Sequence, residues 1–121
     1  MKTIMMLDTR ELGISPLNSL GLILKNLIPF LKEDFDLILL TDTCSKEHEA
    51  LNVKNIISMG YPARSSLDLI KYHYWISKKV NLYRPRIFFQ INHFIPFKLD
   101  NRVLSIAEIH DVYPLGGIEN I

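Results

Sequence analysis

Short, nearly continuous apolar runs recur along this chain, and each runs into polar residues at its end. They are Thr3–Leu7, Phe35–Thr41, Asn55–Met59, Ile87–Ile91 and a last one within 101–109. Runs of this length without polar alternation read as strands buried on both faces. Strands of that kind need helices above and below them. The intervening sequence supplies two: Leu17, Leu20, Leu24, Leu27, Ile28 and Leu31 form one stripe at helical spacing, and Leu69, Ile70, His73, Ile76, Val80 and Tyr83 form another.

The punctuation agrees with those elements. Asp8–Ser15 reads as a loop, with Ser15 as a helix cap and Pro16 at the first helical position. Pro29 removes a backbone donor and predicts that the first helix kinks or ends there. Asp42–Glu49 reads as a polar loop with one helical turn, and Gly60-Tyr-Pro62 closes the third strand. Ser65-Ser-Leu-Asp68 fits a capping box for the second helix, which Pro85 stops.

The predicted order, β-α-β-(short)-β-α-β-β, implies an α/β domain over residues 1–121 with a Rossmann-like, mostly parallel sheet and helices on both faces. The chain stops about ten residues after the fifth strand, so the expected domain is cut short. Such a domain would expose apolar sheet surface, which predicts a homodimer or marginal stability.

Composition narrows the function classes. A 48% apolar and 22% charged chain is that of an ordinary globular protein. The net charge of +1 gives no general pull toward nucleic acid. Cys44 stands alone, which excludes an intramolecular disulfide and fits a reducing cytoplasm. No apolar run reaches the roughly 20 residues that span a bilayer. The segment Lys71–Arg86 has basic residues interleaved with Tyr72, Tyr74, Trp75 and Tyr83, so peripheral contact with an anionic membrane at its cytoplasmic face is one expectation. The other is a helix whose lysines simply face water.

In a parallel sheet, chemistry gathers at the carboxyl ends of the strands. Asp8 and Arg10 follow the first strand, His93 the fourth, and His110 and Asp111 the fifth. His110 can donate to a ligand hydroxyl or oxyanion near neutral pH, and Asp111 reads as a carboxylate that fixes its loop. Arg10 can face a phosphate or carboxylate; the alternative is a solvated Asp8–Arg10 ion pair. Glu108, in a buried run, is a candidate acid or base, or a paired carboxylate. His48 reads as a residue of a charged loop and His73 as a core histidine. The glycine fingerprint of a dinucleotide site is absent, as are zinc, P-loop and serine-hydrolase motifs. No metal or resident cofactor is expected.

Three blocks resemble the N-terminal domain of the bacterial GT-B glycosyltransferases of family four: Leu7-Asp-Thr-Arg10-Glu-Leu-Gly13, Arg84-Pro-Arg-Ile-Phe-Phe-Gln-Ile-Asn-His93 with Phe94 and Pro96 beyond, and Ile109-His-Asp-Val-Tyr-Pro-Leu115. They are similar to the family's D-x-R…G opening, to the strand before its next loop, and to its H-D-(apolar)-x-P element. The resemblance implies the first half of a two-domain fold with the active site in the cleft. This half would hold a saccharide or lipid-linked acceptor, and a second domain, or a donor-domain subunit, would bind the nucleotide-sugar. It makes His110 the residue beside the reacting centre and Asp8, Arg10, Gly13, His93 and Asp111 substrate-binding residues. The chain departs from the family at the glycine-rich turn, where only Gly13-Ile14 survives, and lacks the donor-binding E-x7-E element. The resemblance therefore implies that the chain alone does not transfer sugar. The alternative from another class is a non-catalytic Rossmann-like module that binds a partner protein or membrane surface.

Overall fold

A computed structural model describes residues 2–14, 19–90 and 98–107. Its elements are β1 (Thr3–Asp8), α1 (Arg10–Ile14), α2 (Ser19–Asp34), β2 (Phe35–Thr41), α3 (Lys46–Glu49), β3 (Asn55–Ser58), α4 (Ser66–Tyr83), β4 (Ile87–Gln90) and β5 (Leu104–Ala107). Among the described residues five strands form one sheet in the order β3-β2-β1-β4-β5. Every pairing is parallel, from Thr3 opposite Phe35 to Gln90 opposite Ala107. The architecture is α/β and Rossmann-like. The strand order reverses direction beside β1, so the crevice of such a sheet opens at the carboxyl ends of β1 and its neighbours.

Alternate residues of each strand point to opposite faces, and each face has its own core. Met5 and Leu7 pack with Leu37 and Leu39 against Leu12 of α1 and Leu24 and Ile28 of α2. Met6, Leu40 and Phe88 pack on the other face against Tyr72, Ile76 and Val80 of α4. Each fully buried side chain of this size contributes about 1.5–3 kcal/mol of transfer free energy.

Three expectations are corrected. The segment after β1 is not all loop, because Arg10–Ile14 is helical and buries Leu12. The helix does not end at Pro29; it continues to Asp34. Pro29 is exposed. Beyond it Leu31 packs on the core and Lys32 Nζ donates to the Leu51 carbonyl at 2.9 Å, so tertiary contacts hold the last turn. On α4 the buried residues are Tyr72, His73, Ile76, Ser77 and Val80, whereas Ile70 and Tyr83 are exposed. The capping box forms as predicted: Ser65 accepts from the Asp68 amide at 3.1 Å, and Asp68 accepts from the Ser65 amide at 3.4 Å.

Candidate functional site

The carboxyl ends of β1 and β2 each deliver an aspartate. Asp8 closes β1 and Asp42 follows β2; both are buried. A buried carboxylate is costly unless it is partnered, and the sequence supplies a partner for each.

Asp8 takes the Tyr72 phenol. The Tyr72 hydroxyl donates to Asp8 Oδ1 at 2.6 Å, and the Arg10 amide donates to the same oxygen at 3.3 Å. Asp8 Oδ2 has no hydrogen-bond partner among the described residues. Burial pushes the Asp8 carboxyl up to about 6, against the downward pull of the Tyr72 bond and the Arg10 amide and charge. Burial, and then the neighbouring Asp8 charge, hold the Tyr72 phenol well above its ordinary value. At neutral pH Tyr72 is therefore the fixed donor, and Asp8 is the group able to take or give a proton.

Asp42 takes Arg10. Arg10 Nε donates to Asp42 Oδ2 at 3.2 Å, and Arg10 Nη2 donates to the Ala63 carbonyl at 2.6 Å. The Ala63 amide returns to Asp42 Oδ2 at 2.9 Å, and the Thr43 amide donates to Oδ1 at 2.7 Å. Below the guanidinium lies the Tyr72 ring, with the guanidinium carbon 5.9 Å from its centroid. Arginine thus bridges the two aspartate systems, paired to one and stacked on the residue that binds the other. The turn after β3 closes on the same point. Gly60, at a φ of 106°, donates its amide to the Asp42 carbonyl at 2.9 Å; a side chain at that φ would be strained.

His48 pins the loop after β2 to the loop after β1. It stands at the third position of α3, and the Ser45 amide donates to its Nδ1 at 3.2 Å. An Nδ1 that accepts leaves the proton on Nε2, which donates to the Thr9 carbonyl at 2.9 Å. Burial lowers the pKa of His48, which favours that neutral ring. Thr9 in turn donates to the Leu40 carbonyl through its amide at 2.8 Å and its hydroxyl at 2.9 Å. His48 does sit in a charged stretch, as read, but it is fully buried, whereas Lys46 and Glu49 are exposed and Glu47 is half-buried. His73 is buried as expected, and burial pushes its pKa down to about 4.

Over this network lies an open cleft of about 420 Å³, lined by Arg10, Gly13, Asp42, Thr43, Ala63 and Arg64. Of the predicted site residues, Arg10 and Gly13 line the cleft. Asp8 lies buried behind them, reached through Tyr72 and the Arg10 amide. The expected alternative of a solvated Asp8–Arg10 pair is corrected, since Asp8 is 2% exposed and the Arg10 side chain pairs with Asp42 instead. His93, His110, Asp111 and Glu108 lie outside the described residues. Asp42 was missed although its signal matched that of Asp8, an aspartate at the end of an apolar run. Tyr72 carried no such signal.

Among the described residues no group of three or more His, Cys, Asp or Glu is placed to hold a metal ion, and no helix is long and apolar enough to cross a membrane. Compared with protein-family models, curated proteins and solved structures, the chain matches none.

Proposed function

We propose that this chain is the acceptor-side domain of a glycosyltransferase, which holds a saccharide or lipid-linked acceptor while a separate domain or subunit presents a nucleotide-sugar. The observation that carries the reading is the strand order. The three blocks of family resemblance follow or span β1, β4 and β5, which are neighbours in one parallel sheet, so their carboxyl ends share an edge. In this reading Arg10 and the backbone at Gly13 meet acceptor hydroxyls or phosphate in the cleft, and Asp8 steadies the start of α1, which carries Arg10. His93, which follows β4 in the sequence, and Asp111, which follows β5, are further substrate-binding residues in this reading, with His110 the residue beside the reacting centre. The work takes place in the cytoplasm, at or near the inner face of the membrane where lipid-linked acceptors reside.

The test is binding of the full chain to an array of saccharides and polyprenyl-phosphate sugars, with Arg64→Glu as the control. Arg64 lines the cleft and is exposed, so its side chain can be changed without disturbing the core. Retention that Arg64→Glu abolishes supports the reading; an array with no retained saccharide refutes it. In a transfer-competent assembly, His110→Ala should cost at least about a hundredfold in turnover, and unchanged turnover removes His110 from the chemistry.

A second reading, a non-catalytic module that binds a partner, is favoured by one observation. Leu67, Ile70, Tyr74 and Leu82 are exposed on the outer side of α4, opposite its buried stripe. Concentration-dependent association lost in Leu67→Glu with Leu82→Glu, together with an empty saccharide array, would favour it over the first.

A further inference from the structure

The amino edge of the sheet, opposite the candidate site, gathers positive charge. An open cavity of about 710 Å³ lies there, lined by Lys2, Arg84, Arg86 and Arg102 around Thr3 and Ile4. Among the described residues no carboxylate lines it. The aspartate beside it, Asp100, is engaged by Arg102, through Nη2 at 2.8 Å and Nε at 3.0 Å. Among the described residues no carboxylate comes within ion-pair distance of Lys2, Arg84 or Arg86.

The backbone adds an independent observation. Arg84 caps α4 in the left-handed conformation, at φ 47° and ψ 59°. Helix ends of this form favour glycine, because any Cβ is strained there. Pro85 follows, and a proline restricts the residue before it as well. The sequence nevertheless has arginine at a position that favours glycine, and Arg84 lines the cavity. Strain held in this way marks function more often than fold. Arg86 is fixed on the same edge, its amide donating to the Ile4 carbonyl at 3.2 Å and its carbonyl accepting from Leu104 at 3.0 Å.

We propose that this amino-edge cavity is a binding site for a phosphate-bearing ligand. Guanidinium forks match phosphate oxygens in pairs, and Lys2 adds a point charge at the rim. The site is separate from the carboxyl-edge cleft, so it stands whether or not the chain handles sugar.

The test is calorimetry of the full chain with pyrophosphate at low salt, beside sedimentation with vesicles of phosphatidylglycerol and phosphatidylcholine or of phosphatidylcholine alone. Two variants accompany it. Arg84→Gly relieves the strained cap, so its melting temperature should equal or exceed that of the parent while binding weakens about tenfold or more. Arg86→Gln alters an exposed side chain and should leave melting unchanged with a similar loss of binding. Pyrophosphate binding lost in both variants supports a soluble phosphate ligand. Retention on anionic vesicles alone, lost in both, supports a lipid headgroup. Failure of both probes, or variants that bind as the parent does, overturns the proposal.

Discussion

The two edges of one sheet handle charge in opposite ways. At the carboxyl edge Asp8, Asp42, Arg10 and Tyr72 are largely withdrawn from water and partner one another. At the amino edge Lys2, Arg84, Arg86 and Arg102 stay exposed, and only Arg102 has a carboxylate in contact among the described residues. A buried group must be satisfied by its neighbours, so the carboxyl edge is coupled to folding. An exposed cation is satisfied by water, so the amino edge can hold unpaired charge at small cost. Substitutions should therefore read out as stability at one edge and as binding at the other.

The sharpest way to break this contrast is Asp42→Ala. It strands the half-buried Arg10 charge and leaves the Ala63 and Thr43 amides without an acceptor. The expected loss is about 4 kcal/mol of unfolding free energy by urea titration. A loss below about 1 kcal/mol would mean that the pair is as weak as a surface one.

Next is the pH dependence of Asp8→Asn. Asp8 has a folded pKa raised from 3.8 to about 6, so its contribution to stability is present below 3.8 and lost as the pH rises through 6. An asparagine cannot ionise. The stability of the variant relative to the parent should therefore climb by roughly 2–3 kcal/mol between pH 4 and pH 7. A flat difference across that range would mean that Asp8 titrates normally.

A smaller effect is expected of Tyr72→Phe, which removes the donor to Asp8 Oδ1. Because that bond lowers the Asp8 pKa, its loss should raise it further above 6, read by carbon NMR of the carboxyl group. Stability above that pH should fall by about 1 kcal/mol, and by less under acid conditions. Smallest of all, Arg86→Gln at the amino edge should stay within about 0.5 kcal/mol of the parent.

Much of the architecture was legible because each strand is a continuous apolar run, and burial on both faces leaves little room for another reading of Phe35–Thr41 or Ile87–Gln90. Arg10–Ile14 was not legible as a helix, since five residues are too few to show a period. The end of α2 was misread because proline's local cost is visible in sequence, while the bond from Lys32 to Leu51 is not. The candidate site shows the same division. Asp8 and Arg10 announce themselves at a strand end. Their pairing does not: Tyr72 lies 64 residues from Asp8, and Asp42, itself at a strand end, lies 32 residues from Arg10. His48 was hidden by its charged neighbours, whose exposure says nothing about a ring that turns the other way.

That ring also sets where the molecule comes apart first. An imidazolium would carry an N–H at Nδ1, which ends the bond that the Ser45 amide now donates there and leaves the Ser45 hydroxyl, 2.8 Å away, to accept instead. With the pKa of His48 lowered, the support it gives is intact above the ordinary histidine range and is withdrawn as the pH falls through the folded value. Acidification below that folded value should then loosen the segment from Ser45 to Leu51 as a local opening before the sheet melts. Amide exchange at Glu49, Ala50 and Leu51, measured against that of Leu39 in the central sheet, should accelerate on acidification, once corrected for intrinsic rates. With that result, the histidine would be a latch that protons release.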